Sequence, residues 1–155
     1  MFKVNRKIEY ALIALKYINS KPKDLVSAKE ICDIYHAPFD PTSRVLQIMA
    51  QHEIVRAEQG AHGGYQILKD LTKVSLQDLT DIIEGPVEIV NCFHGNYSHC
   101  DITSSCNVIS PMLNLNERIS TFFKTINVQE LISSRNQGEK QIRNKPIMNE
   151  AEAKS

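Results

Sequence analysis

The sequence predicts a mainly helical protein with one small β-hairpin, arranged as a winged helix-turn-helix followed by a long C-terminal helix. Three observations predict this fold. Three segments with helical apolar spacing lie within residues 1–55, and two strand-like runs around a glycine-rich turn follow them. A seam of apolar residues at heptad-like spacing then begins near residue 110.

The first two helices are predicted from apolar spacing and from a capping signature. Over residues 5–19 apolar side chains recur every three or four positions, at Ile8, Leu12, Leu15 and Ile18. Ser27 followed by Glu30 is the pattern of a capping box, in which each residue bonds a free backbone amide of the other. We therefore expect a short second helix that runs to about Tyr35.

The third helix and the hairpin complete the predicted DNA-reading unit. Asp40 before Pro41 is the order of an N-cap residue and a proline at the first helical position, which predicts a helix to about residue 52. Residues 54–58 and 65–68 read as strands, and the glycines between them allow a tight reversal. This order is that of a winged helix-turn-helix, in which the third helix enters the major groove.

The second half of the chain is predicted to carry a helix on each side of a polar loop. Ser75 with Asp78 forms a capping box for residues 76–84, and Gly85 and Pro86 end that helix. From about Ser110 a heptad-like stripe follows, formed by Met112, Leu115, Ile119, Phe122 and Ile126. The stripe favours a contact between two copies of the chain, although heptads this short also occur in ordinary core helices.

We expect three parts from this pattern. A winged helix-turn-helix DNA-binding domain occupies residues 1–72, and a cysteine loop with a dimerisation helix and one capped turn occupies residues 73–133. Residues 134–155 are polar and are expected to be a disordered tail. The formal net charge is zero, so DNA binding would depend on a few locally placed cations. The sequence shows neither a signal peptide nor an apolar stretch that could span a bilayer, which predicts a cytoplasmic protein.

Three cysteines on the polar loop are the clearest chemical feature of the sequence. Cys92, Cys100 and Cys106 are separated by seven and five residues. Cysteine is usually buried, so three thiols on a polar loop suggest ligands that converge on a metal. His94 and His99 could complete a zinc site, but structural zinc sites usually pair ligands at shorter spacings. Iron–sulfur clusters tolerate wider spacing and are favoured, with three ordinary buried cysteines as the remaining alternative.

Two other classes of function fit part of the sequence. In a cysteine-based redox enzyme, one thiol would be the nucleophile and His94 or His99 the base. In a zinc-stabilised interaction module, the same residues would hold a structural ion. The enzyme lacks a Cys-x-x-Cys pair and leaves the three helices and the hairpin unexplained.

Several spaced motifs resemble the iron–sulfur winged-helix regulators of the IscR and NsrR kind, within the Rrf family. They are residues 3–12, 59–65, 74–78 and 128–131 together with the three-cysteine loop, and they follow one register over residues 1–133. The resemblance implies a homodimeric DNA-binding repressor or activator rather than an enzyme. It also implies a 2Fe-2S or 4Fe-4S cluster held by Cys92, Cys100 and Cys106, which senses nitric oxide, redox stress or iron–sulfur and iron status.

The fourth cluster ligand varies within this family. The IscR pattern has a histidine three residues after the last cysteine, where this chain has Ile109. NsrR-like members use a carboxylate from the first helix of the partner subunit, and the matching residue here is Glu9. A carboxylate oxygen is a harder and more labile donor than a thiolate, so it would leave one iron open to exchange. The alternative for Glu9 is a solvated helix residue.

The expected DNA contacts come from three segments of the winged helix-turn-helix. The third helix offers polar residues near its N-terminal end, namely Thr42, Ser43, Arg44 and Gln47. Arginine suits guanine and glutamine suits adenine. Phosphate contacts are expected from Lys3, Arg6 and Lys7. In the wing, Gln59 stands where the family usually has an arginine, and His62 could add a pH-dependent contact.

Overall fold

The computed structural model describes residues 5–86 and 105–133. The elements are helices α1 (Arg6–Asn19), α2 (Ala28–Tyr35) and α3 (Phe39–Gln51), strands β1 (Val55–Glu58) and β2 (Gly64–Ile67), a 3-10 turn (Leu71–Lys73), and helices α4 (Leu76–Glu84), α5 (Ile109–Thr125) and α6 (Val128–Ser133). The predicted fold class, mainly helical with one hairpin, is confirmed. The predicted tail, and the cysteine loop as far as residue 104, lie outside the described residues.

One hydrophobic core joins the three-helix unit to the later helices. Its fully or almost fully buried side chains come from α1, α2, α3, β1, α4 and α6 and from the connections between them, and include Ile8, Leu15, Ile31, Leu46, Met49, Val55, Leu79 and Val128. Backbone hydrogen bonds also tie the start of α4 to the end of α5, since the Leu76 amide donates to the Ile126 carbonyl at 2.8 Å. The segments before and after the cysteine loop are therefore packed on the same scaffold as the helix-turn-helix.

Helix α3 begins earlier than the sequence predicted. Its first helical residue is Phe39 and its N-cap is Pro38, which makes no side-chain capping bond, so the prediction of Asp40 as the N-cap is wrong. Pro41 lies in the first turn, where a backbone amide has no partner within the helix, and a proline costs little there. The consequence is that Phe39 occupies the first helical position.

The hairpin is held against the connection between α1 and α2. Strands β1 and β2 are antiparallel, with Val55 opposite Ile67. The amide of Val26 donates to the carbonyl of Tyr65 at 3.0 Å, and the amide of Tyr65 donates back at 2.8 Å. A Cβ atom at Gly64 would lie 2.8 Å from the carbonyl oxygen of Val26, so a side chain at this position would force the wing away from the helices.

The predicted capping box at the start of α4 is confirmed and gives a first testable prediction. The Asp78 amide donates to Ser75 Oγ at 3.0 Å, and Asp78 Oδ2 accepts from the Ser75 amide at 2.9 Å. Replacing Ser75 with alanine is expected to lower the free energy of unfolding by about 1 kcal/mol, because one helix-end amide loses its partner. Urea unfolding followed by circular dichroism checks this, with Ser75→Thr as the control that keeps the cap.

The same capping box determines how the stability of the protein changes with pH. Hydrogen bonds from Ser75 lower the pKa of Asp78 below its usual 3.8. The stabilisation is therefore complete above that value and is lost as the pH falls through the lower folded pKa. Asp78→Asn and the wild type should converge in stability in acid, and an equal difference at every pH would contradict this account.

Candidate DNA-binding surface and cluster ligands

Helix α3 turns one face to the core and one face outward. Val45, Leu46 and Met49 are buried, whereas Arg44 and Gln47 are exposed and Ser43 is half-buried. The second helix of a helix-turn-helix lies in the major groove with its N-terminal residues at base edges. Arg44 and Gln47 therefore have the exposure that reading a guanine or an adenine requires.

Thr42 does not have that exposure. Only 1% of its surface is accessible, and its hydroxyl donates to the carbonyl oxygen of Pro38 at 2.8 Å. A threonine can satisfy its hydroxyl within the preceding helical turn while its methyl group packs inward. We therefore remove Thr42 from the predicted set of DNA contacts.

A groove of about 610 Å³ lies between α3, the wing and the start of α2. Its lining includes Gln47 and Gln51 from α3, Gln59 from the wing and Ser27 from the cap of α2. Tyr65 also lines it, and burial raises the pKa of that hydroxyl above its usual value. Among the described residues that line the groove there is no lysine or arginine, and Glu58 is present, so this lining offers hydrogen bonds rather than positive charge.

The wing carries a cation that the sequence reasoning missed. Arg56 on β1 is exposed, and its guanidinium donates to Gln66 Oε1 at 2.7 Å and lies 3.0 Å from Glu58 Oε1. The predicted wing residues Gln59 and His62 are both exposed near the turn. Alternation along a strand could have flagged Arg56 as outward-facing, on the same face as Glu58 two residues on. Its other partner, Gln66, lies on β2, and that pairing depends on the register of the hairpin.

The N-terminal end of α1 is tied to the C-terminal end of α4. Lys7 Nζ lies 2.7 Å from Glu84 Oε1, and the side-chain amide of Asn5 donates to Glu84 Oε2 at 2.7 Å. Arg6 is exposed, whereas Lys3 lies outside the described residues. Lys7 therefore has a carboxylate partner, and as a phosphate contact it would have to exchange that partner for DNA.

The candidate cluster ligands fall only partly within the described residues. Cys106 is half-buried shortly before α5, and Ile109 is the first residue of that helix. Glu9 is exposed on α1. Cys92 and Cys100 lie outside the described part of the chain, as do His94 and His99. Across residues 5–86 and 105–133, no group of three or more histidine, cysteine or acidic side chains is placed to hold a metal ion.

Helix α5 leaves a column of apolar side chains uncovered. Val108 just before the helix, Leu115 and Phe122 are seven residues apart, and Phe122 is 60% exposed. Within the helix itself the one buried residue is Asn116. A helix that served its own core would bury apolar residues instead. None of the helices in the described ranges is both long enough and apolar enough to cross a membrane.

Comparisons with known proteins identify the family. The family model described as "Rrf2: Iron-dependent Transcriptional regulator" matches residues 4–134. The HTH-type transcriptional regulator NsrR of Shouchella clausii (strain KSM-K16) is 24% identical over 99 residues. That stretch covers 63% of this chain and 66% of NsrR, just under two thirds of its length.

Solved structures share the fold at low sequence identity. CymR (YrzC), the global cysteine regulator of B. subtilis, has a TM-score of 0.63 and 16% identity, over 88% of this chain and 100% of CymR. IscR of T. potens has a TM-score of 0.60 and 17% identity, over 84% of this chain and 86% of IscR. Since the family model spans most of the chain and its members are regulators rather than enzymes, the chain belongs to the Rrf2 family of transcriptional regulators.

Proposed function

We propose that two copies of this chain form a DNA-binding regulator whose operator affinity is controlled by an iron–sulfur cluster. The observation that carries the proposal is the combination of an exposed polar face on α3 with a cysteine, Cys106, at the entrance to α5. The three parts expected from the sequence then have distinct tasks. Residues 1–72 bind DNA, residues 73–133 hold the cluster and the dimer contact, and residues 134–155 form the tail.

The chemistry of the donor set fits such a cluster. Three thiolates, from Cys92, Cys100 and Cys106, are the ligands that iron–sulfur clusters take first. Glu9 is exposed on α1, so its carboxylate is free of the core and accessible to a second subunit. When bound, the cluster supplies iron that reacts with nitric oxide or oxidants, and a carboxylate ligand would make one iron the more labile.

The scaffold supports a coupling between the cysteine loop and the DNA-binding surface. Helix α4 leads into the loop, and Glu84 in its last turn holds Lys7 and Asn5 at the start of α1. Helix α5 leads away from Cys106 toward the uncovered apolar column. Gain or loss of the cluster would then change two things: the position of Lys7, and the distance between the α3 helices of the two subunits. Cluster binding and DNA binding would be thermodynamically linked in this way.

Anaerobic purification tests the cluster directly. Iron and acid-labile sulfide should be present in stoichiometric amounts, with visible absorption that nitric oxide or oxygen removes. Operator affinity should differ between the loaded and the stripped protein. A colourless protein that contains stoichiometric zinc and no sulfide would contradict the cluster and favour the zinc-stabilised module.

Arg44 gives a test of the DNA-reading surface. Arg44→Ala is expected to lose about 1–3 kcal/mol of operator binding and to relax the preference at one guanine, because an arginine contacts guanine through two hydrogen bonds. Titration of operator duplexes at several salt concentrations measures both effects. Lys16→Ala, which removes an exposed cation from the far end of α1, is the matched control and should leave specificity unchanged.

Glu9 gives a test of the fourth ligand. Glu9→Ala is expected to shorten the lifetime of the bound cluster in the presence of a chelator, while circular dichroism and the oligomeric state stay unchanged because Glu9 is exposed. Asp33→Ala removes an exposed carboxylate elsewhere and serves as the control. Equal cluster lifetimes in the wild type and in Glu9→Ala would remove Glu9 from the ligand set.

A further inference from the structure

Large apolar side chains are exposed at the corner between α2 and α3. The described residues of this kind include the α5 column and a second group, Ile34, Tyr35 and Phe39, at this corner. Tyr35 packs edge-on against Tyr17, with ring centroids 5.7 Å apart. Phe39 is 52% exposed and is not part of the hydrophobic core. An aromatic side chain left this open on a DNA-reading element calls for an explanation.

The position of Phe39 on α3 indicates what its exposed side chain would contact. It is the first residue of α3, and the N-cap Pro38 makes no side-chain capping bond at that end. Arg44 and Gln47 are exposed further along the same helix. Because the N-terminal residues of a recognition helix meet base edges, Phe39 is placed to reach the floor of the major groove ahead of the polar residues.

Only one of the four bases offers an apolar partner there. Thymine presents its 5-methyl group in the major groove, where phenylalanine or a threonine methyl group can pack on it, while the other bases present hydrogen-bonding groups. Thr42, whose methyl group could make such a contact from the same end of α3, is buried. We propose that Phe39 packs on the 5-methyl group of a thymine in each half-site and so determines specificity at that base pair. This inference rests on the proposed DNA-binding function.

Deoxyuridine substitution tests the contact, because it deletes the methyl group and leaves the base-pairing edge intact. Duplexes selected by the wild-type protein from a random pool are changed one thymine at a time. At one thymine per half-site, the substitution should weaken wild-type binding by about fourfold. This factor corresponds to the free energy gained by burying one methyl group. Phe39→Ala should bind the thymine and uracil duplexes equally well, and Ile34→Ala should keep the full difference.

Phe39→Leu keeps the test valid if the alanine variant binds too weakly to measure. Leucine retains an apolar contact, so its thymine preference should be present but smaller than that of the wild type. The inference is overturned if no uracil substitution affects the wild type, or if Phe39→Ala or Phe39→Leu shows the wild-type preference. Lost repression in cells with unchanged operator affinity would also overturn it and assign Phe39 to a protein partner. A wild-type protein that selects no duplex would instead overturn the proposed function itself.

Discussion

Replacing Cys106 with alanine is expected to give a protein that contains neither iron nor sulfide after anaerobic purification. Only two thiolates of the loop would remain, and histidine does not stand at position 109 to compensate. The variant should bind operator DNA with one affinity, whatever the exposure to nitric oxide or oxidant. Iron and sulfide analysis, visible absorption and DNA titration with and without nitric oxide measure these effects.

Cys32→Ala is the matched control for that variant. Cys32 is half-buried on α2, in the helix-turn-helix and in a different part of the sequence from the loop. Its replacement should leave the iron and sulfide content and the response to nitric oxide intact. If Cys106→Ala retained as much iron and sulfide per chain as the wild type, Cys106 would not be a ligand and the three-cysteine set would be wrong.

The start of a helix was predicted best where a capping residue precedes it. Ser27 and Ser75 each accept a hydrogen bond from the amide three residues on, as predicted. The full capping box forms only at Ser75, because the Glu30 carboxylate accepts from Tyr17 and Lys21 instead of from the Ser27 amide. Asn127 likewise accepts from the Glu130 amide at 2.7 Å, immediately before the first residue of α6. A cap is a local bond between residues three apart, so the linear sequence contains both partners.

The start of α3 and the burial of Thr42 could not be predicted in the same way. Asp40 before Pro41 is a capping pattern, yet the chain is already helical at Phe39, because packing of the whole helix decides where its first turn lies. Thr42 is polar by type and was therefore assigned to the exposed face. It lies three, four and seven residues before buried apolar residues of α3, so helical spacing places it on the buried stripe, and this spacing outweighs residue type.

Contacts between distant segments had no sequence signal at all. The Lys7–Glu84 ion pair and the Asn5–Glu84 hydrogen bond join residues at opposite ends of the winged helix-turn-helix and α4. Lys7 was predicted from its charge as a phosphate contact, and charge alone does not reveal a competing carboxylate. The structure therefore adds a contact that the linear sequence does not indicate, between the last turn of α4 and the start of α1.

The apolar column on α5 accounts for the dimer in the proposal. Leu115 is 43% exposed and Phe122 is 60% exposed, so neither side chain contributes much to the fold of a single chain. Two copies that pack these columns together would bury them, and heptad spacing is the pattern of such packing. Dimers of helix-turn-helix proteins bind two half-sites at a fixed separation, so this contact would also set the distance between the two α3 helices.

Phe122→Asp is therefore expected to produce a folded monomer that binds operator DNA weakly. A charge in a buried apolar seam is strongly unfavourable, whereas the same charge on an isolated α5 stays in water. Sedimentation should show one chain per particle with unchanged circular dichroism, and operator affinity should fall by about 100-fold or more because one head reads one half-site. Thr121→Asp adds the same charge at an exposed position beside the column and should remain dimeric. A dimeric Phe122→Asp with full affinity would place the subunit contact elsewhere and leave the exposed column without a role in spacing the two reading heads.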